Sequence, residues 1–334
     1  MSYQWFVGID VSKQTLDITV LYNSEKKLYE RIENSTKSIK LFLKKLVHEQ
    51  KFSLNDCIFC LEHTGIYNTH FLKVMEEKKL TVCLESSVQI KQSGGLLRGK
   101  NDKIDSFRIA LYAFKNKEFL TLWQPERNVI KHLRRLSGIR ERLLNAKKQI
   151  TTSIKEDKKF IDKVSSAQIA SCCKQSIKAL EEDIKKTEDE IKKVIANDEK
   201  LKEIFSIIES VPGVGKITAT EIVINTNEFK KINDPRKYAC YAGVAPFEHS
   251  SGTSVRGKTR TCKKANLKAK SLLHMSALIA ARFNENIREY YERKVAEGKN
   301  KMNVLNAVKN KLIHRIFACV NQKRFYDNNY KLGC

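Results

Sequence analysis

Four carboxylates stand at positions where a folded chain rarely leaves a charge without a partner. Asp10 interrupts the apolar run "WFVGIDV", and Glu62 ends a second apolar run, "CIFCLE". Asp102 and Asp105 flank the predicted start of a helix in "KNDKIDSF". Burying a lone carboxylate is very costly, so each group must be paired, hydrogen-bonded, bound to a metal or catalytic.

Several carboxylates together suit one kind of chemistry. Asp102 and Asp105 are three residues apart, so on a helix they share a face and point at one spot. Hard oxygen ligands with room for water suit Mg²⁺ that bridges to a phosphate, and two such ions stabilise both oxygens of a phosphodiester exchange. We therefore predict a magnesium site built from Asp10, Glu62, Asp102 and Asp105.

Each acid also has an ordinary explanation. Asp102 could cap its helix, with Asp105 at the third helical position. Glu62 could be a strand-end charge, and Asp10 could pair with a buried lysine. We predict the metal site because these ordinary explanations are not expected to apply to all four acids at once.

The segments around these acids alternate between strands and helices. Strands are expected near Phe6–Val11, Leu16–Leu21, Lys27–Ile32, Cys57–Glu62 and Thr81–Leu84, with helices near Ser38–His48 and Tyr67–Lys78. This order predicts an RNase H-like α/β fold, in which the first and fourth strands are neighbours. No GxGxxG follows the first strand, so a dinucleotide-binding fold is not expected.

The middle of the chain differs in composition, because its pattern from about residue 125 to 208 predicts long charged helices. Ile177, Ile184 and Ile191 recur every seven residues, with Leu180 and Val194 near the interleaved positions. This heptad pattern predicts an antiparallel helical hairpin or an intermolecular coiled coil. A single amphipathic helix on its own domain is the alternative.

The last third opens with "IIESVPGVGKITATEIV", which predicts a helix, a tight turn and a second helix. In a helix-hairpin-helix arrangement Gly213 and Gly215 would offer backbone N–H groups to a phosphate, with Lys216 beside them. A purely structural pair of helices would have the same pattern.

A basic stretch follows this turn. Seven Lys or Arg residues and no Asp or Glu lie between Val255 and Met275, ahead of an apolar helix near Leu272–Phe283. A charge run is usually a solvated surface, but glycines beside it favour a phosphate-gripping loop. The predicted nucleic-acid contacts are Arg256, Lys258, Arg260, Lys263 and Lys264.

The overall charge supports a polyanionic partner. The 334 residues include 63 Lys or Arg and 38 Asp or Glu, a net charge of +25. A surplus of this size favours nucleic acid through counterion release. Nine scattered cysteines predict reduced thiols, and the lone Cys57-x-x-Cys60 does not predict zinc. No run of 18 apolar residues occurs, so we expect a cytoplasmic, nucleoid-associated protein without a membrane partner.

The four acids, in this order and spacing, resemble the DEDD tetrad of Piv-type DNA invertases and IS110-family transposases. "GIDVSKQTLDI", "EHTGIY" and "KNDKIDS" resemble the acidic motifs of that family. "SVPGVGKITATEIV", "YAGVAPFEHSSGTSVRG" and "LLHMSALIAAR" resemble its transposase domain. The resemblance covers nearly the whole chain in two blocks.

The resemblance implies a three-part chain. Residues 1–125 would form a RuvC-like DEDD catalytic domain, and residues 126–205 a helical, coiled-coil linker that mediates oligomerisation. Residues 206–334 would form a mainly helical transposase domain. The family's nucleophilic serine precedes the glycine of an SG motif, which maps onto Ser251 before Gly252, although the adjacent Ser250 remains a second candidate.

The resemblance also implies the partners. They are donor and target DNA, a non-coding bridge RNA that pairs with both, and further copies of the chain in a dimer or tetramer, with carboxylates and serine from different protomers. Three alternatives remain open at this point: a Piv-like invertase without RNA, a RuvC-like endonuclease in which water attacks, and an inactive nucleic-acid-binding relic.

Overall fold

The computed structural model describes residues 3–49, 53–93, 101–251, 255–261 and 265–328. The chain forms two compact units, Met1–Pro125 and Glu126–Cys334. The finer division of the second unit at residue 205 stays a prediction.

The N-terminal unit is built on one five-stranded sheet. Its elements are, in order, β1 Trp5–Val11, β2 Thr15–Tyr22, β3 Glu25–Glu33, α1 Thr36–Glu49, β4 Cys57–Glu62, α2 Thr69–Glu77, β5 Val82–Glu85, α3 Ser87–Ser93 and α4 Asp102–Lys115, with a short 3-10 helix at Gly65–Asn68 before α2. The strand order is β3-β2-β1-β4-β5. Strands β1 to β3 form an antiparallel meander, while β4 and β5 run parallel to β1. The predicted RNase H-like fold is confirmed.

Alternation along the strands gives the sheet two apolar faces. Val7 and Ile9 of β1 belong to the core that also holds side chains of α1 and α2. Phe6 belongs to the opposite core, with Ile109 and Ala113 of α4. Because Asp10 follows Phe6 and Gly8 at even spacing, it lies on the face that α4 covers.

The C-terminal unit is mainly helical, as predicted. Its elements are α5 Asn128–Phe160, α6 Lys163–Ala196, α7 Glu199–Glu209, α8 Lys216–Thr226, α9 Pro235–Tyr241, β6 Pro246–Ser251, β7 Val255–Thr261, α10 Leu267–Phe283, α11 Glu285–Ala296 and α12 Lys301–Asn321. Within the described ranges, strands β6 and β7 pair only with each other. One hydrophobic core joins the base of α5 and α6 to the later helices.

Helices α5 and α6 form an antiparallel hairpin, one of the arrangements that the heptad pattern predicted. Arg140 pairs with Glu188 at 2.7 Å, and Lys147 pairs with Glu181 at 2.7 Å, so the register is kept over two turns of each helix. Of the seam, Ile191 is buried in the shared core, while Ile177 and Ile184 are half-buried.

A charged cluster fixes the start of α5. The Arg127 guanidinium lies 2.7 Å from the Asp198 carboxylate and 2.6 Å from the Glu228 carboxylate. Asp198 also caps α7 by accepting a hydrogen bond from Leu201 N. One side chain thus joins three segments far apart in the sequence. Across the residues described, no helix combines the length and apolarity needed to cross a membrane.

Candidate active site

A row of carboxylates crosses the covered face of the sheet. Asp10 on β1 is paired in register with Asp17 on β2, and Glu62 on β4 with Glu85 on β5. Ile9 is paired with Leu61, so Asp10 and Glu62 follow at neighbouring strand positions. Four adjacent strands therefore each carry an acid near the same end of the sheet. The sequence reading found Asp10 and Glu62 but missed Asp17 and Glu85.

Glycine at position 8 brings α4 onto this row. A Cβ at Gly8 would stand 2.2 Å from Ala110 N and 2.2 Å from Ser106 O, so only glycine permits the observed distance. Beside it, the buried Thr19 and Ser106 hydroxyls share a hydrogen bond of 2.9 Å. These contacts hold the start of α4, with Asp102 and Asp105, close to Asp10.

Neither aspartate of α4 is needed as a helix cap. Asn101 caps α4, because its side chain accepts a hydrogen bond from Ile104 N at 2.7 Å. The capping explanation for Asp102 is therefore wrong. Asp102 instead accepts a hydrogen bond from Arg31 Nη2 at 2.8 Å, and Asp105 one from Arg108 Nη1 at 2.9 Å.

Arg31 joins the row to α4. Its Nε donates to both oxygens of Asp17, at 3.0 and 3.1 Å, while its Nη2 reaches Asp102. Asp17 is only 2% exposed and also accepts a hydrogen bond from the Tyr29 hydroxyl at 2.5 Å. A buried carboxylate satisfied in this way is a rigid support, and it orients the arginine that contacts Asp102.

The electrostatics of the row favour a bound cation. The pKa of Asp10 is raised to about 6, first by burial and then by four carboxylates, which are Asp102, Asp105, Glu62 and Asp17 in decreasing order of effect. Within the described ranges, no three His, Cys, Asp or Glu side chains stand close enough together to hold an ion. The donors are nevertheless all oxygens that repel one another around Asp10, and such a set fits Mg²⁺.

The two glycines in the turn between α7 and α8 have different surroundings. Gly213 has φ +81°, and a Cβ there would stand 2.3 Å from Ser276 O, so this glycine serves close packing against α10. Gly215 has open space around it and precedes Lys216, the first residue of α8. Packing accounts for Gly213, whereas phosphate binding by Gly215 and Lys216 stays a prediction.

The candidate serines lie on the β6–β7 hairpin. Ser250 is paired in register with Arg256, and Ser251 with Val255. The backbone thus brings the serines next to the start of the basic stretch, and Lys258 and Arg260 lie further along β7. Gly252, Lys263 and Lys264 lie outside the described residues.

Two family models match the chain in the order expected from its motifs. A transposase model of DEDD type from IS110 elements matches residues 7–156, which include all four predicted acids. A model described as "Transposase IS116/IS110/IS902 family" matches residues 205–292, which include both glycines, the β6–β7 hairpin and α10. With the RNase H-like sheet, these matches define a DEDD-type transposase, an enzyme that acts on DNA. The chain belongs to the IS110/IS116/IS902 family of transposases.

Similar proteins extend the match. A pilin gene-inverting protein of Moraxella lacunata is 24% identical over 327 residues, which are 96% of this chain and 97% of the relative. A 43.6 kDa protein of insertion element IS110 from Streptomyces coelicolor is 29% identical over 127 residues, 38% of this chain and 31% of that protein. Among solved structures, Thermus thermophilus RuvC bound to a Holliday junction substrate covers 36% of this chain and 100% of RuvC, with 14% identity and a TM-score of 0.29.

Proposed function

We propose that this transposase cuts and rejoins DNA strands through a covalent phosphoserine at Ser251, with Mg²⁺ held by Asp10, Glu62, Asp102 and Asp105. The observation that carries the proposal is the neighbouring placement of Asp10 and Glu62 on β1 and β4, under the helix that begins with Asp102. Arg31 contacts Asp102 and Arg108 contacts Asp105, so both aspartates of α4 are held in place by a neighbouring guanidinium.

The residues divide the work between them. When bound, Mg²⁺ would neutralise charge on the phosphate and favour loss of the attacking hydroxyl's proton. The ion would be bound by Asp10 and Glu62 on the sheet and by Asp102 and Asp105 on α4. Arg31 and Asp17 keep Asp102 in place, so the site is pre-organised by residues that do not themselves touch the substrate.

The serine step is an ester exchange. The Ser251 Oγ forms a bond to phosphorus while the bond from phosphorus to one deoxyribose oxygen breaks. The hydroxyl loses its proton, and the leaving oxygen gains one. One phosphate ester replaces another, so the reverse reaction with a different deoxyribose hydroxyl rejoins a strand without an external energy source.

The proposed partners follow from charge and from the family. A net charge of +25 suits a protein that grips backbones rather than reads base edges. A bridge RNA paired with donor and target DNA would then supply the sequence choice, as a guide does in other RNA-directed systems. A homo-oligomer would bring carboxylates and serine together from different protomers.

A second candidate is a DNA invertase without an RNA guide. The observation in its favour is the match to the pilin gene-inverting protein, which extends over 96% of this chain. Deleting the non-coding DNA beside the gene separates the candidates, because recombination would persist only for the invertase.

The deciding experiment measures DNA covalently attached to the protein. Cells carrying the gene with its native flanking DNA are lysed under denaturing conditions, and adducts and recombinant junctions are quantified. The variants are Ser251→Ala, its neighbour control Ser250→Ala, and Asp10→Asn. We expect adducts in the wild type and in Ser250→Ala, and none in Ser251→Ala or Asp10→Asn.

Three other results would contradict parts of the proposal. Loss of adducts in Ser250→Ala alone would move the nucleophile to the adjacent serine. Recombination without adducts in either serine variant would indicate attack by water, as in a RuvC-like endonuclease. Normal adducts in Asp10→Asn would remove the carboxylate row from the chemistry.

A further inference from the structure

Lys309 is a buried lysine without a carboxylate partner. It lies on α12 with 5% of its surface exposed, on the same face as the buried Leu305 and Leu312. A buried ammonium group normally has an anionic or hydrogen-bonding partner, because removing it from water is costly. Among the side chains that the structure describes, no hydrogen bond or ion pair reaches Lys309.

The neighbours of Lys309 are themselves cationic or able to become so. Burial and then the charge of Lys270 lower the pKa of Lys309. Burial and then the charge of Lys309 lower the pKa of His274, which stands one helical turn after Lys270 on α10. Lys309 on α12 therefore lies within electrostatic range of Lys270 and His274 on α10, and no described acid contributes to the pKa shift of Lys309 or of His274.

Lys268, two residues before Lys270, shows the contrast. Its ammonium lies 2.9 Å from Glu221 and 3.1 Å from Glu141, and it donates a hydrogen bond to Ser137. The fold thus supplies acids for the lysine on one side of α10. Among the described residues, Lys270 has only a hydroxyl as partner, since it donates to Thr261 Oγ1 at 3.0 Å, and Lys309 on α12 has none.

Two contacts place Lys270 and the turn before Lys309 at the base of the β6–β7 hairpin. Thr261, the partner of Lys270, ends β7 and is paired in register with Pro246 at the start of β6. Asn306, one turn before Lys309, donates to Val244 O just before β6. Ser251 is five residues further along β6, or about 16 Å at the rise of a strand.

We propose that Lys270, His274 and Lys309 form a phosphate-binding site at the base of the β6–β7 hairpin, and that the phosphate it binds in the working protein belongs to the DNA backbone. The second part rests on the proposed function. Two ammonium groups and an imidazole N–H supply several charge-assisted donors. A phosphate would supply the negatively charged partner that Lys309 lacks among the described side chains. The site is distinct from the phosphate at Ser251, because a strand's length separates them.

The first test uses inorganic phosphate and thermal unfolding. Wild type, Lys309→Met and Lys270→Met are compared with Lys299→Met, which removes an exposed lysine just before α12. In chloride we expect Lys309→Met to unfold at the same temperature as the wild type or higher, because a like-charge contact is removed. Millimolar phosphate at constant ionic strength should raise the midpoint of wild type and Lys299→Met by about 2–4 °C more than that of the two site variants.

The opposite pattern would overturn the site. If Lys309→Met unfolds at a lower temperature in chloride and all variants respond equally to phosphate, Lys309 is a structural residue. If Lys309→Met does not fold, Lys270→Met decides the matter, since its side chain is less buried and an equal phosphate response there would also overturn the site.

The second test measures DNA binding against salt concentration. The slope of log affinity against log salt should lose about 0.9 in Lys309→Met and change less in Lys299→Met, because one phosphate contact is removed. An unchanged slope with a normal phosphate response would show that the site takes free phosphate only, and would overturn its assignment to DNA. Absence of DNA binding by the wild type would contradict the proposed function, while the phosphate test would still decide the site.

Discussion

Gly8 of β1 and Ala110 of α4 lie so close together that a Cβ on the glycine would stand 2.2 Å from the Ala110 backbone nitrogen. The contact fixes the height of α4 above the carboxylate row. The two carboxylates of the α4 start are therefore positioned by a glycine that carries no chemistry of its own.

Gly8→Ala should push α4 away and destabilise the N-terminal unit by about 2 kcal/mol or more, as over-packed cores are. Both tryptophans, Trp5 and Trp123, lie in this unit, so tryptophan fluorescence during urea unfolding reports it. The matched control is Gly138→Ala on α5, where the nearest atom to a new Cβ is Arg142 Nη2 at 3.8 Å. That change should stabilise its helix by about 0.5–1 kcal/mol and leave the tryptophan transition unchanged. A tolerated Gly8→Ala would contradict the close approach.

A double-mutant cycle on Asp17 and Arg31 should show strong coupling. Arg31→Met leaves the buried Asp17 carboxylate without its guanidinium, and Asp17→Asn removes the charge that holds the exposed Arg31, so each should destabilise the unit by about 1–3 kcal/mol. The double variant should lose less than the sum, with a coupling energy of about 1 kcal/mol or more. The control pair is Lys40 and Glu77, 2.6 Å apart but exposed, for which about 0.5 kcal/mol is expected. Equal coupling in both pairs would argue against a supporting role for Asp17.

Asp10→Asn should stabilise the protein when divalent ions are removed. The raised pKa of Asp10 corresponds to an upper limit of about 3 kcal/mol for burial and carboxylate repulsion together, and solvent screening of this half-buried group reduces it to about 1 kcal/mol. In EDTA the variant should therefore unfold at a higher temperature than wild type. Mg²⁺ should raise the midpoint of the wild type and have little effect on Asp10→Asn. The exposed Asp56→Asn serves as control, and an equal Mg²⁺ response in all three proteins would contradict the metal site.

Acid should weaken the C-terminal unit through Arg127. Hydrogen bonds from Arg127 lower the pKa of Asp198. Burial raises the pKa of Glu228, but Arg127 and two lysines outweigh it, so the net shift is downward. Depressed carboxylate pKa values give stability that is present above the unfolded values near 4 and is lost as the pH falls through the folded values.

Arg127→Met should therefore cost about 3 kcal/mol at pH 7, since it leaves the fully buried Glu228 side chain without its closest partner. The difference from wild type should shrink as the pH falls below about 4. Helical circular dichroism during urea unfolding at both pH values measures it. A difference that does not change with pH would mean that Arg127 acts through packing alone.

The strands and the four acids could be predicted from the sequence because their signals are local. Apolar runs such as "CIFCLE" are long enough to predict a buried strand, and a charge inside or just after one is conspicuous. The RNase H-like order then predicted that Asp10 and Glu62 would be neighbours, and the register of β1 and β4 places them so.

Asp17 and Lys309 escaped prediction for a physical reason. Asp17 alternates with apolar residues in "TLDITVLY", the pattern of a strand with one wet face. It is buried only because α4, more than 80 residues later in the sequence, covers that face. Lys309 looks like an ordinary surface lysine in "NAVKNKLIHR", and its burial depends on the distant α10. Both cases are set by tertiary packing, which no local window contains.

The antiparallel register of α5 and α6 allows the length of this hairpin to change by whole heptads. With 33 and 34 residues, the two helices are each about 50 Å long, and only their base enters the core of the C-terminal unit. The pairs Arg140–Glu188 and Lys147–Glu181 imply that residues 148–154 face residues 174–180. Removing one heptad from each arm there would shorten the arm by about 10 Å and keep the same seam. The length of the hairpin can therefore change in steps of one heptad, while the N-terminal unit and the core of the C-terminal unit stay as they are.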